Sequence, residues 1–308
     1  MSMVKEARSW LKNVDAQDEV EIYIYEMRSC CLAAAAAIKK IHANTRVHLI
    51  VPDLPAFMDL RANRIKKIMK KLDAQSIRKK LWAVDDYILY AAPMAEHLGI
   101  QDKKWMVMEG SISEEDVQNY TQESDEATSS DKFVVMYSGS VNHSFGIANL
   151  IEAFKLLDDG FELWITGGGP AKEMVEEAAK QDERIKYYGF LPTRADLIKL
   201  QHKATMMINM RNPEEAASNY CFPSKLFEYM LLGKPVLSCR LGGIPEEYNQ
   251  YLVEMKSLKP QDIAEAIRSV AAMNAQEREQ LGKATQKFVM GEKGNIAQAK
   301  KILGFVQE

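Results

Sequence analysis

The chain of 308 residues carries a formal charge of -3, with 47% hydrophobic and 27% charged residues, the balance of an ordinary globular protein long enough for two cores. That balance gives no reason to expect a nucleic-acid partner, and no apolar run approaches the roughly 20 residues of a membrane span. Cys30, Cys31, Cys221 and Cys239 form neither a CxxC pair nor a Cys/His cluster, so no metal centre is expected and a reducing, cytoplasmic setting is the simple reading.

The opening MSMVKEARSW lacks the apolar core of a signal peptide. Apolar runs at residues 20–25, 46–51, 87–90 and 105–108 read as strands, with helices between them. The alanine-rich run CLAAAAAI at 31–38 reads as a buried helix. From Arg61 to Trp82 (residues 61–82) nine Lys/Arg face one acid, Asp73, so this segment holds +8 and the remainder -11. Ile65, Ile68, Met69 and Leu72 lie on one helical face with lysines off it. Such a helix either rests on an anionic membrane surface or packs its apolar stripe on its own domain. Residues 111–131 hold seven acids, no base and few apolar side chains, and read as an exposed linker or long loop.

A second alternating series follows. Strands are expected at 132–137, 161–166, 184–188, 205–209 and 235–238, and helices at 147–157, 171–181, 193–204 and 224–232, with three more helical patterns from Lys259 onward. The fold class is therefore α/β, with two Rossmann-like, doubly wound parallel-sheet domains. The expected limits are 1–120 for the first, an acidic linker over 121–131, 132–290 for the second, and a C-terminal helix over 291–308 that packs back toward the first.

Special residues gather where the strands of the second series end: Gly139 and Ser140, then Gly167, Gly168, Gly169 and Pro170, then Gly189, then Asn209 and Arg211. GGGP lacks the spacing and acidic partner of a dinucleotide fingerprint, and each glycine taken singly fits a tight turn. Their meaning comes from the stretch at 220–236, YCFPSKLFEYMLLGKPV. Ser224 is placed as an N-cap, Lys225 and Glu228 share a helical face, and Gly233 with Pro235 stops the helix. Free amides, the helix dipole and the Lys225 charge favour a phosphate, and Glu228 suits sugar hydroxyls.

Taken in order, YSGS (137–140), LIEAF (150–154), LWITGGGP (163–170), YYGFLP (187–192), INMR (208–211), FPSKLFEYM (222–230), GKPV (233–236) and GGIPEEY (242–248) are similar to the donor-binding half of the family-4-type retaining glycosyltransferases of GT-B fold, the group 1 glycosyltransferases. The likeness is to a subgroup with a Pro-Ser-Lys donor helix. It implies a hexosyltransferase that moves a sugar from a nucleotide diphosphate donor to a hydroxyl acceptor, a glycan or lipid-linked glycan, in cell-surface polysaccharide or glycolipid synthesis. It implies no cofactor and no metal, and a protein that is either cytosolic or peripheral to the inner face of the membrane. Arg211 and Lys225 would stabilise the leaving diphosphate, Glu228 would hold the ribose, and the backbone at Gly189, Phe190 and Leu191 would meet the base. Gly139, Ser140, Gly167, Gly168, Asn209, Tyr220, Pro223 and Ser224 would complete the donor site.

The chain departs from the pattern at two places. Tyr220 stands where many relatives carry a first glutamate, and Ser140, Asn142, His143 and Ser144 occupy the stretch where relatives often carry Arg and Lys. The first series also matches only later positions of an acceptor domain, as though N-terminally shortened, with Asp53 and Glu109 as acceptor or cleft candidates. A nucleotide-sugar-binding remnant without turnover and a nucleotide-sugar epimerase are the alternatives; the Pro-Ser-Lys helix fits the epimerase poorly.

Overall fold

A computed structural model of the protein describes residues 3–54, 64–122 and 131–307. The chain divides into two compact units, one of residues 1–109, 219–222 and 299–308, the other of residues 110–218 and 223–298.

The first unit is built on a four-stranded parallel sheet, β1 (Val20–Tyr25), β2 (Thr45–Val51), β3 (Asp86–Leu89) and β4 (Lys104–Val107), in that spatial order. Its helices are α1 (Met3–Leu11), α2 (Ser29–Lys39), α3 (Arg64–Arg78) and α4 (Pro93–Leu98). The alanine run forms α2, which buries Leu32 and Ala34 to Ile38 because small side chains let the helix sit close to its neighbours. Val47, Leu49 and Val51 of β2, Tyr87 and Leu89 of β3, and Met94 of α4 complete the core. On α3 the two readings of the basic helix divide: Ile77 is buried at 3%, whereas Ile68, Met69 and Leu72 stand 62%, 64% and 60% exposed. Among the described residues those three pack on nothing that hides them. Arg61 lies outside the described residues.

The second unit has six parallel strands, β5 (Phe133–Ser138), β6 (Phe161–Thr166), β7 (Ile185–Gly189), β8 (Met206–Asn209), β9 (Val236–Ser238) and β10 (Val253–Glu254). They lie in the order β10-β9-β8-β5-β6-β7. Counted from β5 this is the doubly wound order 3-2-1-4-5-6, whose direction reverses between β5 and β8, where ligands of such sheets bind. Continuous apolar runs such as Val134 to Tyr137, buried on both faces, suit central parallel strands. The helices are α6 (Ile147–Phe154), α7 (Lys172–Gln181), α8 (Arg194–Lys203), α9 (Lys225–Leu231), α10 (Pro260–Ala272), α11 (Ala275–Glu292) and α12 (Asn295–Gln307), preceded by α5 (Glu114–Thr121). The end of α12 belongs to the first unit, where Lys104 stands over the Phe305 ring at 4.9 Å.

α5 corrects the expectation of a loop over 111–131. Ser113 and Asp116 form a reciprocal capping box, each side chain bonded to the other's backbone N–H at 3.0 Å. Glu114, Glu115 and Asp116 fill the first turn, where the helix dipole favours acids, so their density marked a helix start rather than a solvated tail. Tyr120 is buried to 1%. Residues 123–130 of the expected linker lie outside the described residues. No helix among the described residues is long and apolar enough to cross a membrane.

Candidate functional site

The ends of β5, β6 and β7 are laced through their backbones. Gly139 N–H donates to Thr166 O at 3.1 Å, Val141 N–H to Gly168 O at 3.0 Å and Gly167 N–H to Gly189 O at 2.7 Å. Tyr187 OH adds a bond to Gly167 O at 2.7 Å and Thr166 Oγ1 one to Gly189 O at 2.8 Å. Lacing this tight needs glycine: a Cβ on Gly167, at φ +123, would lie 1.8 Å from Gly139 O, and one on Gly169, at φ +156, 2.2 Å from Val141 O. Gly168 has nothing within 4 Å of such a Cβ and presents its backbone to open space. Beyond β7, Phe190 is 86% exposed and Leu191 half-buried. The glycines therefore build one surface of turns, and Gly139, Ser140, Gly167, Gly168 and Gly189 do stand together.

At the reversal between β5 and β8, Asn209 spends its amide on Ser238 Oγ at 3.0 Å, tying β8 to β9. Arg211 follows two residues later. Its guanidinium lies 5.5 Å from the Phe145 ring in the loop after β5, and its Nε is buried without a hydrogen-bond partner. Among the described residues Arg211 forms no ion pair with Glu214 or Glu215, the neighbours in sequence best placed to take it. It is a cation at the switch point with no carboxylate partner among the described residues.

α9 brings Lys225 and Glu228 to the same edge. Leu226, Phe227, Tyr229, Met230 and Leu231 are buried, which turns Lys225 and Glu228 outward. Tyr229 fixes the helix to the end of β5: its hydroxyl accepts from Ser138 N–H at 3.0 Å and donates to Ser138 O at 2.5 Å. Full burial holds its phenol far above the ordinary pKa, so it keeps its proton. Ser224 departs from its expected role. It has helical torsions, φ -53 and ψ -30, and no capping bond, because the turn already begins with Leu226 N–H donating to Pro223 O at 2.7 Å. Lys225 Nζ instead grips both oxygens of Glu228 at 2.9 and 2.8 Å, and Tyr120 OH donates to Glu228 Oε2 at 2.9 Å.

Three candidates lie in the first unit. The Tyr220 ring packs against that unit's core and stands 5.1 Å from His97. Asp53, just past β2, accepts from Cys221 Sγ at 3.4 Å. Glu109, just past β4, is buried at 4%. His143 lies in an exposed one-turn helix, and burial lowers the pKa of His202. Tyr120, Tyr229 and Arg194 were not singled out by sequence. The Ser-x-x-Asp spacing at Ser113 and Asp116 was the signal for the first, a capping box announcing a helix. Among the described residues no group of three His, Cys, Asp or Glu side chains is placed to hold a metal ion.

Residues 132–273, which contain the laced turns, Arg211 and α9, match the family model of the glycosyl transferases group 1. This segment is similar to the group 1 glycosyltransferase domains. The whole chain has the fold of solved glycosyltransferases. It covers 99% of its own length and 81% of Anabaena Alr3699/HepE, crystallised with UDP, at TM-score 0.68 and 16% identity. It likewise covers 99% of itself and 79% of the lipopolysaccharide outer core galactosyltransferase WaaB, at TM-score 0.64 and 14% identity. TarM is matched at TM-score 0.64 and 12% identity, over 99% of this chain and 58% of that one. None of the curated proteins is significantly similar in sequence. The two-sheet α/β architecture is thus that of the GT-B glycosyltransferases.

Proposed function

We propose that this protein is a retaining hexosyltransferase that takes a sugar from a nucleoside diphosphate and places it on a hydroxyl of a glycan or lipid-linked glycan in cell-surface polysaccharide synthesis. The observation that carries the reading is the group 1 glycosyltransferase match falling on the half of the chain where Arg211, Lys225 and Glu228 share one sheet edge. HepE, bound to UDP and to UDP-glucose, and WaaB, a lipopolysaccharide galactosyltransferase, support the class of donor and acceptor.

The chemistry follows from charge. The bond between anomeric carbon and phosphate oxygen breaks with its electron pair on the phosphate, the acceptor oxygen bonds to that carbon, and the hydroxyl proton ends on a phosphate oxygen. Negative charge grows on the leaving diphosphate, and Arg211 and Lys225 stabilise it electrostatically with no metal required. The Lys225 to Glu228 pairing then opens: the lysine turns to phosphate and the carboxylate accepts from ribose hydroxyls. The base lies against Gly189, Phe190 and Leu191. The exposed Ile68, Met69 and Leu72, on a helix in the most basic stretch of the chain, support a cytoplasmic protein peripheral to an anionic membrane.

The test is release of nucleoside diphosphate from UDP-, ADP- and GDP-sugars with a glycolipid extract as acceptor source. Turnover with one donor class, lost in Arg211→Met, is expected. Thermal stabilisation by a donor without any release under these conditions would replace the enzyme by a binding protein.

A further inference from the structure

We propose that Tyr120 is a positioning residue of the donor site, which keeps the Glu228 carboxylate in place when Lys225 leaves it for phosphate. The inference rests on the glycosyltransferase reading above and adds a residue that reading does not contain.

Three observations place it. Tyr120 is 1% exposed, and its hydroxyl donates to Glu228 Oε2 at 2.9 Å. Burial and the neighbouring carboxylate push the phenol's pKa well up, so it remains a donor at every working pH. The helix that carries it is clamped from outside: Asp116 pairs with Arg194 of α8, whose guanidinium also stands 5.4 Å from the Tyr120 ring. Glu228 thus has two kinds of partner. Lys225, on a half-exposed side chain, is free to swing, while Tyr120 is held by packing and cannot follow.

The consequence is an exchange at constant geometry. With Lys225 bonded to the carboxylate, Glu228 is neutralised and closed to a sugar. When the diphosphate draws Lys225 away, the carboxylate would lose its aim unless a second donor stayed. The phenol is that donor, and it occupies only Oε2, which leaves Oε1 for the ribose hydroxyls. A hydrogen bond to a charged group is among the stronger ones, enough to hold one rotamer.

The test is calorimetric binding to the full chain of UDP, ADP and GDP, followed by the 2′,3′-dideoxy form of whichever binds tightest. In the wild type the ribonucleotide is expected to bind more tightly than its dideoxy form. Tyr120→Phe is expected to weaken the ribonucleotide about tenfold and leave the dideoxy form unchanged. Glu228→Gln is expected to remove the difference, and Tyr120→Phe added to it to cost nothing further. A merely structural role would weaken both nucleotides equally, and that result, or an unchanged ratio, overturns the proposal. If Tyr120→Phe does not fold, Arg194→Met, which loosens α5 but keeps the phenol, is expected to narrow the ratio in the same sense; an unchanged ratio there is equally fatal. Absence of nucleoside diphosphate binding by the wild type would instead remove the glycosyltransferase reading itself.

Discussion

Replacing Tyr229 by phenylalanine deletes one oxygen and strands two backbone groups. Ser138 ends β5 on the side facing β8, where β8 pairs only with Val135 and Met136, and the Tyr229 hydroxyl serves both its N–H and its C=O. Each orphaned group costs about 1–3 kcal/mol, so Tyr229→Phe is expected to lose roughly 2–6 kcal/mol. For a unit of this size that is a fall in Tm of roughly 4–24 °C. Urea denaturation is the sharper assay: the midpoint should fall while the slope stays fixed, since the surface exposed on unfolding is unchanged. Nucleoside diphosphate affinity should fall with it, because α9 is no longer pinned to the strand end that carries Gly139 and Ser140. Tyr137→Phe, which removes a single bond to Ser140 O at 2.8 Å, is the control and should cost about 1 kcal/mol. A Tyr229→Phe loss below about 0.5 kcal/mol, the range of ordinary surface changes, would refute the anchoring role.

The glycine turns predict a contrast. Gly167→Ala, with its Cβ 1.8 Å from Gly139 O, should destabilise by more than about 3 kcal/mol, whereas Gly168→Ala, with nothing in reach, should leave the thermal midpoint nearly unchanged. Lys234 predicts a pH slope. Burial lowers its ammonium to about 8 from 10.5, so between those values the unfolded chain binds more protons and this group makes stability rise with pH. Lys234→Met should therefore be more stable than wild type at pH 7, by roughly 2–3 kcal/mol, with the gap closing toward pH 10; a gap that does not narrow contradicts it. Ile68, Met69 and Leu72 changed together to serine should abolish co-sedimentation with vesicles containing phosphatidylglycerol, which the wild type should show at low salt and not with phosphatidylcholine alone. Indifference to lipid charge would remove the membrane role.

Nine of the ten strands stand within a residue of where apolar runs place them, because central strands such as β5 (FVVMYS) and β8 (MMIN) are near-continuous apolar runs and the edge strand β1 (VEIYIY) alternates. The exception, β10, is two residues long, too short for any periodicity to show. α5 was hidden for a different reason. Its acids satisfy a helix N-terminus, and composition alone does not distinguish that from a solvated tail; only the spacing of Ser113 and Asp116 does. In the second unit, motif order singles out Arg211, Lys225 and Glu228, which follow β8 and begin α9 at the same end of the sheet. What no pattern reveals is pairing across distance: that Glu228 is held by Tyr120, 108 positions earlier, or that Ser138 is closed by Tyr229, 91 positions later. The Ser224 cap failed because Pro223 starts the turn one residue earlier than capping preference alone suggests.

Arg211 and Lys225 are proposed as the diphosphate end of a nucleotide-sugar site. Its most direct test is calorimetric comparison of nucleoside diphosphate with nucleoside monophosphate across uridine, adenosine and guanosine. For the preferred base the diphosphate is expected to bind at least tenfold more tightly, and Arg211→Met and Lys225→Met are each expected to erase most of that difference with the fold intact. Equal affinity for the two nucleotides, or a preference for diphosphate that survives both substitutions, would contradict it.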